Sequence, residues 1–258
     1  MIFRISVVQQ ALAWHDAAAN RANFERVIRP LAGATDLVVL PEMFTSGFTM
    51  SPEKYAEAAD GATTAWLLEQ ARSLDAMVCG SVAVNDHQRY YNRFLLATPD
   101  GAVHHYDKRH LFSMGGEHRH YCRGTRAQLV EWRGARICPF VCYDLRFPVF
   151  SRRRPGLDYD LAMYVASWPD PRREHWVTLL RARAIENLAF CAGVNRIGDD
   201  PAHHYAGDSA VVDYLGKTLA DLGDRAEVAT VALDLAAMRA WRDKFPAHLD
   251  ADAFTLES

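Results

Sequence analysis

The sequence has no run approaching the ~18 consecutive apolar residues that a membrane-crossing helix requires, and its charge leans to neither sign. The formal net charge is −3 over 258 residues. No strong field would draw such a chain to nucleic acid or to an anionic membrane, so neither is expected as a partner. The first residues hold one early arginine and an apolar run broken by Gln9 and Gln10. That stretch lacks the apolar core of a secretory signal, and a cytoplasmic protein is expected. Cysteine is scarce and odd in number: Cys79, Cys122, Cys138, Cys142 and Cys191. A disulfide framework is therefore not expected, and there is no Cys-x-x-Cys pair to suggest a metal knuckle. No Gly-x-Gly-x-x-Gly and no Gly-x-x-x-x-Gly-Lys-Ser/Thr occurs, which excludes the usual phosphate-cradling loops. Linkers, repeats and low-complexity segments are missing as well.

What is present is an apolar fraction of 50%, enough for a substantial core, cut into short alternating segments. Strands are predicted at Phe3–Val8, Leu37–Leu40, Met77–Val84, Arg93–Thr98, Val103–Tyr106, Ala127–Trp132, Ala135–Val141, Leu161–Val165, Phe190–Asn195, Ser209–Tyr214 and Val228–Leu233. Helices are predicted at Asp16–Leu31, Thr63–Leu74, Leu145–Arg154, Glu174–Asn187 and Leu235–Lys244, with Thr63 or Thr64 capping the second. Strands alternating with helices give an α/β layered fold, and the hairpin signals call for mixed sheets. Residues 107–126 have no periodicity and read as one long loop, a common place for function.

Three places can carry chemistry. Leu37–Leu40 is an apolar strand that delivers Glu42 just beyond its carboxyl end, where α/β sheets bind ligands. A carboxylate pressed against Met43 and Phe44 is kept from water, a setting that suits a general base. Lys108 stands where a strand opens into the long loop, and an ammonium fixed there could hold an oxyanion. Cys142 ends the Ala135–Val141 strand just before a helix. Such an elbow exposes a side chain at the sheet rim, aims free backbone N–H groups at the same spot and favours a thiolate. Cys79, Cys138 and Cys191 lie in apolar strands and fit the core pattern.

Taken in order, Pro41-Glu42-Met43-Phe44, Tyr106-Asp107-Lys108-Arg109-His110-Leu111-Phe112 and Cys142-Tyr143-Asp144-Leu145-Arg146-Phe147-Pro148 resemble the nitrilase superfamily of carbon-nitrogen hydrolases. The chain is most similar to its omega-amidase branch, with support from Tyr164-Val165-Ala166-Ser167-Trp168-Pro169, Arg183-Ala184-Ile185-Glu186-Asn187 and Lys244-Phe245-Pro246. The resemblance implies one domain over 1–258, an αββα sandwich with mixed β-sheets, and pairing into a four-layer αββα–αββα homodimer or a higher oligomer. It also implies a Glu42–Lys108–Cys142 triad, with Glu117 as a second carboxylate holding the lysine and the substrate. No cofactor and no metal are implied. The substrate would be the ω-amide of a 2-oxo dicarboxylic acid, such as 2-oxoglutaramate or 2-oxosuccinamate. True nitrilases usually carry Trp and Glu after the cysteine, and carbamoyl-amino-acid hydrolases carry Asn; Tyr143 and Asp144 differ from both.

The expected reaction starts with Glu42 taking the thiol proton as sulfur attacks the carbonyl. Lys108 and the Tyr143 N–H then hold the oxyanion, and a thioester follows. Arg146 and Arg172 are candidates for the substrate carboxylate, and Trp168 and Phe44 for pocket walls. Nitriles and N-carbamoyl amino acids are the alternative substrates. Two other classes compete: a metal-binding protein using His118, His120 and Cys122, and a non-catalytic dimeric binding protein. Arg152-Arg153-Arg154 is read as complementing a helix C-terminus, not as a nucleic-acid face.

Overall fold

The computed structural model describes residues 1–256. Two six-membered strand paths form two mixed sheets. The first runs Glu227–Asp234, Ile2–Gln9, Leu37–Val39, Met77–Asp86, Arg89–Ala97, Val103–Asp107, with the short Glu57–Ala58 strand added beside Met77–Asp86. The second runs Thr218–Asp221, Ala210–Val212, Phe190–Asn195, Leu161–Ala166, Ala135–Val141, Val130–Trp132. In each sheet three central strands are parallel and the flanking strands pair antiparallel.

The period of two along the first sheet decides its layers. Phe3, Ile5, Val7, Leu37, Val39, Met77, Cys79, Phe94 and Leu96 share one core with the second sheet. Their neighbours Val8, Val38, Leu40, Val78, Leu95 and Ala97 pack instead against the helices Ala17–Ile28 and Ala62–Leu74, through Phe24, Ile28, Trp66, Leu67 and Leu74. The helix Arg173–Asn187 covers the second sheet with Trp176, Leu180 and Ala184. The order is helix, sheet, sheet, helix: the expected αββα sandwich. Among the described residues no helix is long and apolar enough to cross a membrane.

Gly193 is required by this packing. A Cβ there would fall 2.3 Å from Leu180 Cδ1 and 2.7 Å from Trp176 Cζ2, so the missing side chain lets the helix sit on the sheet.

Two local expectations need correction. The second helix starts at Ala62 with Gly61 at its N-cap, not at a capping threonine. Thr63 lies inside the first turn, where Glu57 accepts its backbone N–H at 2.7 Å. The predicted helix Leu145–Arg154 is instead a 3-10 turn, Cys142–Arg146, followed by a short helix, Pro148–Ser151. Pro148 has no N–H to continue a ladder and holds Phe147 out of the helical region, at φ −115° and ψ 82°. The structure also forms a hairpin that the sequence reading passed over, Ile197–Asp199 paired with His204–Ala206.

Candidate active site

The strand directions gather the site at one edge. Leu37–Val39, Ala135–Val141, Leu161–Ala166 and Phe190–Asn195 are parallel strands within their sheets. Val103–Asp107 lies two antiparallel steps from Met77–Asp86 and so runs the same way. Glu42, Cys142, Ser167, Asn195 and Lys108 all follow the carboxyl ends of these strands.

Glu42, Lys108 and Glu117 are each 0% exposed. Lys108 Nζ donates to Glu42 Oε1 at 2.9 Å and lies 2.9 Å from Glu117 Oε2. Asn92 Nδ2 reaches both carboxylates, donating to Glu42 Oε1 at 2.7 Å and to Glu117 Oε1 at 3.2 Å. Asn92 is itself fixed by Ser81 Oγ, which donates to its Oδ1 at 2.9 Å. The other Glu42 oxygen accepts the Ser167 N–H at 2.7 Å, and Glu117 Oε2 accepts the Phe112 N–H at 2.6 Å. These bonds satisfy buried charges that would otherwise be costly.

An ammonium has three N–H donors. Two are directed at Glu42 and Glu117, and the Phe48 ring lies 5.2 Å from Nζ. Phe48 also lines the cleft that Cys142 lines, so the ammonium lies behind that wall. Burial works against the Lys108 cation, yet the Glu117 and Glu42 carboxylates overcome it and hold its pKa above the ordinary lysine value. Burial pushes the Glu117 carboxyl up, partly offset by Lys108.

Of the five cysteines only Cys142 lines the cleft. Its φ is +46°, a left-handed backbone in a non-glycine residue. Such strain costs on the order of 1–3 kcal/mol and is held only where the surroundings impose it. Met43, next to Glu42, is in the same region at φ +43°. The Glu42 carboxylate acts electrostatically on the Cys142 thiol. The expected help to a thiolate from a following helix is not realised, since only a five-residue 3-10 turn follows. Burial and the facing Glu42 charge instead push the thiol's pKa well up. The resting group is a neutral thiol, and its proton must leave as sulfur attacks.

Asp144, two residues on, locks the elbow to the Lys108 loop. Its Oδ2 accepts from Tyr106 OH at 2.7 Å and Val141 N at 3.0 Å. Its Oδ1 accepts the His110 N–H at 2.9 Å and lies 2.7 Å from His110 Nδ1. Tyr143 is the second residue of the turn that Cys142 opens, where leading N–H groups have no acceptor within the turn. Its ring stands edge-on to Phe112 and Phe147.

The cleft is narrow, about 40 Å³, room for two or three water-sized groups. Trp168, Arg146 and Arg172 line it, as the sequence reading expected. Arg146 lies 4.8 Å from the Trp168 ring and bonds to His175 Nδ1 at 2.9 Å, and Arg172 lies 5.6 Å from the Phe112 ring. Phe44 does not line it. It is buried on the helix side of the first sheet, edge-on to Phe24 and beside Trp66, because the chain turns at Met43. Phe48 provides the aromatic wall in its place. His203 and Tyr205 line the cleft from the unexpected hairpin. The one signal for them was that the hairpin follows the carboxyl end of Phe190–Asn195. Among the described residues no three His, Cys, Asp or Glu side chains gather as metal ligands; His118 and His120 are exposed.

The carbon-nitrogen hydrolase family model matches residues 4–243. Omega-amidase YafV of Escherichia coli is 49% identical over 255 residues, 98% of each chain. The 2-oxoglutaramate amidase of Bacillus subtilis is 31% identical, covering 95% of this chain and 96% of its own. A CN-hydrolase superfamily protein of Xanthomonas campestris, solved with an arsenic adduct in its active site, is 51% identical with a TM-score of 0.97 and full coverage of both chains. The chain belongs to the carbon-nitrogen hydrolase family, within the nitrilase superfamily.

Proposed function

We propose that the protein is an omega-amidase, hydrolysing the ω-amide of a small 2-oxo dicarboxylic acid to the dicarboxylate and ammonia, with Cys142 as nucleophile. The observation that carries the reading is one buried carboxylate, Glu42, that bonds the Lys108 ammonium and whose charge acts on the thiol of Cys142, the cysteine lining a narrow cleft. The names of the Escherichia coli and Bacillus subtilis relatives support the substrate class. The arsenic adduct of the Xanthomonas protein fits a reactive cleft thiol, since arsenic is thiophilic.

In this mechanism sulfur attacks the amide carbon while Glu42 Oε takes the thiol proton. The oxyanion is met by the remaining Lys108 donor and the Tyr143 N–H, each worth about 3–4 kcal/mol of barrier. Glu42 passes its proton to the nitrogen, the C–N bond breaks and ammonia leaves. A thioester remains on Cys142. Glu42 then deprotonates a water that attacks the thioester, the C–S bond breaks, and the proton returns to sulfur. Glu117 holds Lys108 throughout, and the rim cations Arg146 and Arg172 bind the substrate carboxylate.

The test is ammonia release from 2-oxoglutaramate by the wild type and by Cys142→Ala. The variant should fold and retain below about 1% of kcat, as expected when a transition-state group is removed. Residual activity near wild type would remove Cys142 from the reaction, and faster wild-type turnover of a nitrile or an N-carbamoyl amino acid would reassign the substrate. Its five free cysteines suit a reducing compartment such as the cytoplasm. We also infer a homodimer. Val149, Ile185 and Phe245 are large, apolar and exposed on or beside the helices near the second sheet, and ultracentrifugation showing a monomer would reject that pairing.

A further inference from the structure

The cleft has two facing walls. One carries Trp168, Arg146 and Arg172; the other is the hairpin Ile197–Asp199 and His204–Ala206, whose His203 and Tyr205 line the cleft. Asn195 ties the walls together. Its Oδ1 accepts from Trp168 N at 2.8 Å and Arg196 N at 3.0 Å, and its Nδ2 donates to Trp168 O at 3.0 Å and to Gly207 O at 2.9 Å. The hairpin wall is thus held in register with the wall beside Cys142.

Behind Tyr205 stands a buried charge that the reaction itself does not use. Arg196 is wholly buried, with its guanidinium 4.5 Å from the Tyr205 ring centre. It donates only to backbone carbonyls, Ile197 O and Asp199 O, and its Nη1 has no partner. No carboxylate pairs with it among the described residues. The nearer acids are committed elsewhere: Asp199 lies 2.7 Å from His204 Nδ1, while Asp200 accepts from Tyr205 OH and from the Ala202 and His203 N–H groups at 2.7 Å. A buried arginine with no bonded carboxylate is costly, even with the Asp200 and Asp199 charges acting on it from nearby. Its guanidinium stacks on Tyr205, a residue that lines the cleft.

We propose that this hairpin is the specificity wall of the cleft: Tyr205 and His203, held by Asp200 and backed by Arg196, select short amides whose far end carries a carboxylate. The inference rests on the amidase reading above and adds to Arg146 and Arg172 a second group of residues that favours the same carboxylate. Tyr205 itself is almost wholly buried, so an anion in the cleft would meet its edge and His203, with the guanidinium behind them. Across one ring in a protein interior the attraction is sufficient for about tenfold selectivity.

The experiment compares 2-oxoglutaramate with 4-oxopentanamide, which keeps the five-carbon chain and the ketone and carries a methyl in place of the carboxylate, on the purified full chain. The readout is the ratio of the two kcat/KM values. Arg196→Met should lower that ratio about tenfold, chiefly through KM for 2-oxoglutaramate, while Arg196→Lys, which keeps the charge, should hold it within about threefold. Should Arg196→Met fail to fold, His203→Ala, on the exposed rim, still reads the same wall and should lower the ratio about threefold. An unaltered ratio, or equal loss on both amides, overturns the proposal. Absence of wild-type activity on 2-oxoglutaramate would overturn the amidase reading instead, so the two failures are distinct.

Discussion

Lys108→Met is the substitution with the most to reveal. It removes a buried ammonium that touches Glu42 and Glu117 and leaves two carboxylates, both without exposure, beside one another. Two effects follow. The oxyanion loses one donor, which should lower kcat by about 10²–10³. The fold loses the charge that compensates the pair, at about 3–5 kcal/mol near neutral pH. The second effect depends on pH. Burial already raises the pKa of Glu117 above the ordinary 4.5 despite Lys108, and removing the cation raises it further. An acid whose folded pKa exceeds its unfolded value contributes stability that is present below the unfolded value and lost as pH rises through the folded one. The deficit of the variant should therefore shrink from pH 7 toward pH 5. Guanidinium unfolding at both pH values reads the stability, and ammonia release reads kcat. A deficit that does not change with pH would show that Lys108 does not compensate these carboxylates. A rise in KM with kcat intact would move Lys108 from the chemistry to binding.

Asp144→Asn should be costly although isosteric. The amide NH₂ must face either Tyr106 OH and Val141 N–H or the two His110 nitrogens, leaving buried donors unmet at about 3 kcal/mol in total; a chemical-denaturation change under 1 kcal/mol would contradict the network. At the opposite end of the second sheet, Asp160 accepts from Arg136, Arg239 and Arg242. Burial disfavours its anion, but the arginine bonds prevail and lower its pKa from 3.8 to about 2. A depressed folded pKa gives stability that is present above 3.8 and lost as pH falls through about 2. About 2 kcal/mol should vanish over that window, and Asp160→Asn should abolish the dependence; an unaltered acid profile in the variant would refute the assignment. Gly193→Ala places a methyl against Leu180 and Trp176 and should cost about 1–3 kcal/mol, a drop of several degrees in a thermal melt that the helix could escape only by shifting.

Much of the fold was legible because its signals are local. Period-two alternation of Phe3, Ile5 and Val7 against Val8, and the spacing of Trp176, Leu180 and Ala184, are set by backbone geometry and the need to bury one face. The Ala135–Val141 and Phe190–Asn195 strands and the Leu235–Lys244 helix fall at the bounds read from the sequence. Glu42, Lys108 and Cys142 stood out as candidates by lying just beyond strand ends, whereas Glu117 followed only from the family resemblance. The misreadings were places where a non-local partner decided the outcome. Glu57 bonds Thr63 inside the helix whose cap it was expected to be. Met43 adopts a left-handed turn that sends Phe44 into the helix-side core. Asp144, bonded to Val141, Tyr106 and His110, together with Pro148, replaces the expected helix with a 3-10 turn.

By itself the sequence determined which residues have the chemistry and which strands deliver them, because side-chain type and strand period are properties of short segments. Only the tertiary structure decided how that chemistry is tuned. The neutral thiol, the shared lysine and the Arg196 behind Tyr205 arise from burial and from distances between segments up to 125 residues apart. The dielectric around a charge, and what stands beside it, exist only once the chain has closed over them.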